Sequence, residues 1–274
     1  MESSAQTSSR WTLKDLPLEA VNRPKIDPRA VLAKVLSDFD ERVEEVRAEE
    51  ELPRRIEAVF LKGAAAIDRE TFRKFQADLL ALGDAVFQKA GGQYNYLDIA
   101  RYLAIKAHHV VELRLDRASP LKILDLATGG GHFPFLAKQY GHEVIGIDLN
   151  IPIYAKILGL YSVERIAQPI IRMQRMPVAG PFDVITALRP MFNRSLGDPT
   201  HRFWTIDEWI WFIEYLCSLL RYPGRIYFSL NRYFVQQRDT CDDLLDLFEA
   251  NGASVCFDSR TVLFKLDGPI KLRK

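Results

Sequence analysis

Residues 122–150, KILDLATGGGHFPFLAKQYGHEVIGIDLN, restrict what this chain can fold into more than any other stretch. A short apolar run, Leu121 to Leu126, carries an acid at Asp125 and gives way to a glycine-rich turn. A helix is predicted from near Phe133, and a second apolar run, Val144 to Ile147, ends at Asp148. The two acids stand 23 residues apart, the length of one β-α-β unit. The turn exposes backbone groups with no side chain in the way of a ligand. An acid at the tip of the second strand suits bidentate capture of ribose hydroxyls, which points to a ligand of adenosine type at the C-terminal strand ends. With Gly129 and Gly131 in the first two positions of a G-x-G-x-x-G fingerprint, the third falls on Pro134, which argues against a dinucleotide. No G-x-x-x-x-G-K-[ST] stretch occurs either.

The same alternation continues downstream. Phe182 to Ala187 and Arg225 to Ser229 are further short apolar runs, with helical segments at 134–140 and 206–220. Strands alternating with helices indicate a parallel sheet covered on both faces. Near the end, residues 241–250 read as a helix. Residues 253–257 and 261–266 read as two strands joined by Asp258-Ser259-Arg260, an antiparallel pair at one edge.

The region before Pro120 reads as all helix. Residues 1–26 are rich in Ser, Pro and charge and are expected to form a flexible arm. Asp27-Pro28 is a good helix start. Val31, Leu32, Val35, Leu36, Phe39, Val43 and Val46 then predict a single helix ended by Pro53. The eight acids between Asp38 and Glu51 form its solvated face. Asp68 is a second N-cap, before Phe72, Phe75, Leu79, Leu82 and Val86, and a third helix is expected over about 97–115.

The charge balance, 37 basic against 36 acidic residues in 274, gives a formal net charge of +1 and offers no cluster for a nucleic-acid duplex or an anionic membrane. Cys217, Cys241 and Cys256 have no CxxC spacing, so neither a disulfide framework nor a structural metal is expected. The start, MESSAQTSSRWTLKDLP, lacks an apolar signal core, and no uninterrupted apolar stretch is long enough to span a membrane. The expectation is a cytoplasmic protein.

ILDLATGGGHF resembles motif I of the class I S-adenosylmethionine-dependent methyltransferases. Asp125 stands for its acid and Gly129 and Gly131 for its second and third glycines, while Ala127 replaces the first. GIDLN, with Asp148 and Leu149, resembles the second-strand motif. FDVITAL (182–188) and GRIYFSLN (224–231) resemble the fourth and fifth strands, and the likeness covers about 94–266. It implies an α/β, Rossmann-like three-layer sandwich. The sheet is mostly parallel and seven-stranded, with a C-terminal antiparallel hairpin over 120–274, and a helical extension at 27–119 serves as lid or substrate cover. It implies S-adenosylmethionine as cofactor, with Thr128, His132 and Phe133 lining the cleft and Asp148 on the ribose. Met173 and Gln174 stand at the end of the third strand near adenine, and Leu188 and Arg189 face the methionine part.

The activity so implied is transfer of a methyl group by in-line displacement to a small-molecule acceptor. The long loop 189–209 borders the acceptor side, with Phe192, Asn193, His201 and Trp204 offering stacking, hydrogen bonds and a base. Tyr94, Tyr96 and Arg101 are lid residues by the same resemblance, Arg101 within reach of the methionine carboxylate. Trp209, Trp211, Phe212 and Tyr215 sit at helical spacing and read as core. Two other readings stay open: a non-catalytic cofactor-binding or interaction protein on this fold, and an RNA methyltransferase, which the neutral charge disfavours. A homodimer also stays open.

Overall fold

The computed structural model describes residues 28–82, 95–190, 204–230 and 241–273. The arm at 1–26, Tyr94, Phe192, Asn193 and His201 lie outside them. The N-terminal region contributes α1 (Pro28–Leu36), α2 (Phe39–Glu50), α3 (Arg54–Ala65), α4 (Arg69–Leu82) and α5 (Ile99–Glu112).

The apolar stripe from Val31 to Val46 belongs to two helices rather than one. Asp38 ends the first run because its carboxylate accepts from the backbone N–H groups of Asp40 and Glu41 and caps α2. The stripe itself holds, since Val31, Val35, Phe39, Val43 and Val46 are all buried. Helix α3, which the sequence reading passed over, buries Val59, Phe60, Gly63 and Ala64. A methyl on Gly63 would collide with the Leu136 side chain, so this glycine lets α3 lie close on the helix after the first strand. Asp68 accepts from Thr71 N–H at 2.7 Å at the start of α4, as its N-cap reading requires.

The α/β region runs β1 (Lys122–Leu126), α6 (His132–Lys138), β2 (Glu143–Asp148), α7 (Pro152–Tyr161), β3 (Arg165–Ala167) and β4 (Phe182–Leu188). It continues through α8 (Ile206–Ser218), β5 (Leu220–Ser229), α9 (Cys241–Ala250), β6 (Ser254–Cys256) and β7 (Thr261–Leu266). The strand order is β3-β2-β1-β4-β5-β7-β6, parallel except for β7, which is antiparallel to both β5 and β6. This is the Rossmann-like sheet with a closing hairpin that the sequence predicts. The third strand ends at Ala167, not in the segment 172–175, which is a loop further on.

Both faces of the sheet are buried. Ile123, Val184 and Tyr227 pack in one core with α1–α7, whereas Leu124, Leu126, Ile185, Ile226 and Phe228 pack in another with α8 and α9. Among the described residues, no helix is long and apolar enough to cross a membrane. A buried bidentate pair ties α2 to the start of α5: Arg42 Nε and Nη2 donate to Asp98 Oδ1 and Oδ2 at 3.2 and 2.9 Å.

One row across the sheet is polar. Asp125 lies in register with Gly146 on one side and Thr186 on the other, and Thr186 with Tyr227. This row faces α5.

Candidate functional site

The turn from β1 to α6 takes its shape from three residues of positive φ: Ala127 (+55°), Gly129 (+59°) and Gly131 (+78°). Alanine tolerates this conformation at some cost. At Gly131 the cost would be compounded by packing, since a Cβ would lie 2.5 Å from Leu158 Cδ2. Gly129 is crowded by the Tyr96 ring, 3.1 Å from where its Cβ would be. The turn lies over β2 because residue 146 is also glycine: a Cβ there would meet the Thr128 methyl at 2.8 Å.

Two carboxylates hold this turn from opposite sides. Asp125 is buried and accepts from the Thr128 hydroxyl at 2.6 Å and the Thr186 hydroxyl at 2.7 Å. Burial pushes its pKa up to about 6, against the opposing pull of the two hydroxyls. Asp148, at the tip of β2, accepts from Gly129 N–H through Oδ2 and from Leu149 N–H through Oδ1, both at 2.6 Å. Its pKa is also raised by burial, opposed by those N–H donors. Each oxygen keeps a lone pair for a further donor.

The aromatic wall beside the turn comes from the N-terminal region. Tyr96 stacks on Tyr102 with centroids 4.6 Å apart and meets Tyr154 edge-on at 5.3 Å. His132 is buried and donates from Nε2 to the Tyr96 carbonyl at 3.0 Å. Burial pushes its pKa down to about 3, so the ring is neutral. Phe133 is equally buried. These two residues anchor the turn from below, while Tyr96 stands against its glycine face.

Of the other residues singled out in the sequence, Leu188 is buried at the end of β4 and Arg189 follows it, exposed, with φ +59°. Met173 is 53% exposed in the loop beyond β3, with Gln174 beside it. Arg101 is turned toward α2, with Glu50 at 3.7 Å. Trp204 is buried on the opposite face of the sheet against Trp209 and Phe212. Trp209, Phe212 and Tyr215 are buried as core and Trp211 packs at its margin.

Two functional-looking residues were missed. Lys106, midway along α5, is buried, and desolvation pushes its pKa down to about 8, opposed by Asp125. Thr186 holds Asp125 from the neighbouring strand. Each had one signal: a lone charge inside LAIKAHHVV and a lone hydroxyl inside FDVITAL. At the far end of α5, Tyr227 OH donates to Glu112 Oε2 at 2.6 Å and lies 3.3 Å from His109 Nδ1. Glu112 and Tyr227 line a cavity of about 210 Å³ there, together with Cys256 and Leu263. Among the described residues, no group of three or more His, Cys, Asp or Glu could hold a metal ion.

No family model matches this chain, and no curated protein matches it. Solved structures do. A TehB-like SAM-dependent methyltransferase from Corynebacterium glutamicum is 18% identical, covering 63% of this chain and 97% of its own, with a TM-score of 0.44. A ribosomal protein L11 methylase from Lactobacillus delbrueckii is 19% identical over 57% of this chain and 75% of its own, at 0.37. A SAM-bound amino pentose methyltransferase from Micromonospora echinaspora is 19% identical over 47% of this chain and 51% of its own, at 0.36.

Proposed function

We propose that this chain is a methyltransferase that binds S-adenosylmethionine at the C-terminal ends of β1 and β2 and methylates a small-molecule acceptor. One observation carries the reading: Asp148 at the tip of β2 and the glycine turn after β1 are locked together through Gly129 N–H at 2.6 Å. This fits a nucleoside. The carboxylate keeps lone pairs for the two ribose hydroxyls, and the Tyr96 ring against Gly129 offers an aromatic wall beside them. Leu149, Met173 and Gln174 are assigned to the adenine side, and Ala127, Thr128 and Gly131 shape the cleft floor. Asp125 is ionised at neutral pH, by its pKa near 6, and suits the methionine ammonium.

The bound cofactor would supply an electrophilic methyl group. The acceptor's nucleophilic atom would bond to that methyl carbon as its bond to sulfur breaks, the electron pair remaining on sulfur and any acceptor proton passing to a base or to water. The protein's contribution is mainly alignment. The N-terminal region covers the site through Tyr96, just before α5, while Arg101 faces Glu50 on α2 and is not assigned to the methionine carboxylate. Phe192, Asn193 and His201, outside the described residues, are assigned to the acceptor side on the resemblance alone; Trp204 is not, because it is buried in the core on the other face of the sheet.

Calorimetry with S-adenosylhomocysteine tests the reading. Binding in the micromolar range is expected, and Asp148→Ala should weaken it by about tenfold or more, the loss of one charge-assisted contact. Absence of binding to the unaltered protein, or unchanged affinity in the variant, would refute the assignment.

A further inference from the structure

The cavity of about 210 Å³ at the far end of α5 stands apart from the glycine turn. In the strand order, β7 is four places from β2, which carries Asp148, or about 19 Å at ~4.8 Å per strand. The walls are mainly apolar. Leu113 follows α5, Val255 comes from β6 and Leu263 from β7, with two hydroxyl side chains and the Cys256 thiol among them. Glu112 is the charged residue of the lining. Its Oε2 accepts from the buried Tyr227 hydroxyl at 2.6 Å, and His109 Nδ1 lies 3.7 Å away. Burial pushes the His109 pKa down to about 4, so that ring is neutral at pH 7. The Glu112 carboxyl stays below its ordinary value despite burial, held down by His109 and Tyr227, and is ionised there. Arg225, two residues before Tyr227 on β5, donates a guanidinium N–H to the Leu113 carbonyl at 3.1 Å and not to Glu112. Among the described residues, no Lys or Arg pairs with this carboxylate. Its side chain is 46% exposed, so a ligand can reach it from water.

We propose that this cavity is a second ligand site, for a small organic ammonium whose apolar body enters the cavity and whose N–H groups bond Glu112. An apolar cavity of ~150 Å³ holds benzene, so about 210 Å³ takes a six-membered ring with an arm of one or two carbons. The Tyr227 hydroxyl fixes the carboxylate without cancelling its charge, and Oε1 has no protein donor among the described residues. An ammonium there makes a charge-assisted hydrogen bond beside an apolar wall, where it is screened less than in open water. An alcohol of the same shape fills the same volume but brings no charge. A carboxylic acid of that shape brings an anion to an anion.

The test uses the full chain with carbon-13 methyl groups on leucine and valine. The Leu263 and Val255 signals are assigned by Leu263→Ile and Val255→Ile. Cyclohexylammonium, benzylammonium and phenethylammonium chlorides are titrated at pH 7.5 and constant ionic strength, beside the matching alcohols and benzoate. At least one amine should move both signals saturably, with a Kd of about 1 mM or tighter. Its alcohol should bind about tenfold more weakly, and benzoate more weakly still. Glu112→Gln keeps an acceptor for the Tyr227 hydroxyl and should weaken the amine about tenfold while leaving the alcohol within about twofold. The Leu124 methyl signals, from the core on the other face of the sheet, should stay in place throughout and report an intact fold. The proposal is overturned if no amine moves Leu263 and Val255. It is equally overturned if the alcohol or benzoate binds as tightly as the amine, or if Glu112→Gln leaves the amine affinity unchanged. Should that variant fail to fold, the comparison of amine, alcohol and benzoate in the unaltered protein decides alone.

Discussion

Asp125→Asn should make the ligand-free protein more stable. The native fold holds this carboxyl at about 6, above its ordinary 3.8, so the folded state prefers the protonated form. The stabilisation that comes with protonation is complete below the unfolded value and is lost as the pH rises through the folded one. The interval corresponds to about 3 kcal/mol at 1.36 kcal/mol per pH unit. Asparagine mimics the protonated state at every pH. Its carbonyl can accept from one threonine hydroxyl and its NH₂ can donate to the other, because Thr186 Oγ1 also lies 3.5 Å from the Leu124 carbonyl and can turn its proton there. Urea unfolding should therefore place Asp125→Asn about 3 kcal/mol above the unaltered protein at pH 7.5, narrowing to about 1 kcal/mol at pH 4.5. The same change should weaken S-adenosylhomocysteine. A variant no more stable at pH 7.5, or a gap that widens toward acid, would refute the reasoning that burial of this carboxylate is a cost kept for a ligand.

Gly131→Ala should destabilise the protein by about 2–4 kcal/mol, from the left-handed backbone and the overpacking against Leu158, and adding Leu158→Ala should cost less than the sum of the single changes; urea unfolding reads both. Asp98→Ala removes the buried partner of Arg42 and the cap of α5, and should cost about 3 kcal/mol in the same assay, with a loss below about 1 kcal/mol counting against that pairing. Tyr227→Phe deletes the hydroxyl that donates to Glu112, whose pKa is held down by His109 and by this bond. Its carboxyl should then titrate at higher pH by NMR, at a stability cost of about 1 kcal/mol.

The α/β half was legible because its signals are local. Residues 241–250 and 261–266 match the structure residue for residue, and the mainly apolar runs at 121–126 and 182–187 fall on β1 and β4. The turn was legible because glycine spacing and a tip acid leave few alternatives. What escaped the sequence depends on partners distant in the chain. The break between α1 and α2 rests on one aspartate among eight acids, and only geometry shows which one caps. The third strand is three residues long, too short for a period, and its end was placed in the loop at 172–175. Lys106 is a single charge inside an apolar helical stretch, and its burial shows only once α5 is laid on the sheet. Trp204, read as a loop aromatic near the acceptor, instead sits in the core formed with α8.

Along the turn after β1 the backbone changes hand at every step, with residues 127, 129 and 131 at positive φ and 128 and 130 not. The N–H groups of the turn are thereby sent in different directions: Thr128 N–H donates to the Ile147 carbonyl, Gly131 N–H to the Thr128 carbonyl and Gly129 N–H to the Asp148 carboxylate. A phosphate brought to Gly129 would meet that carboxylate, at a repulsion of about 4 kcal/mol for charges 4 Å apart in an effective dielectric near 20. The turn therefore offers a phosphate neither a cluster of N–H groups nor a neutral neighbour, and on the function proposed above this is what favours the uncharged, hydroxyl-bearing end of a nucleoside.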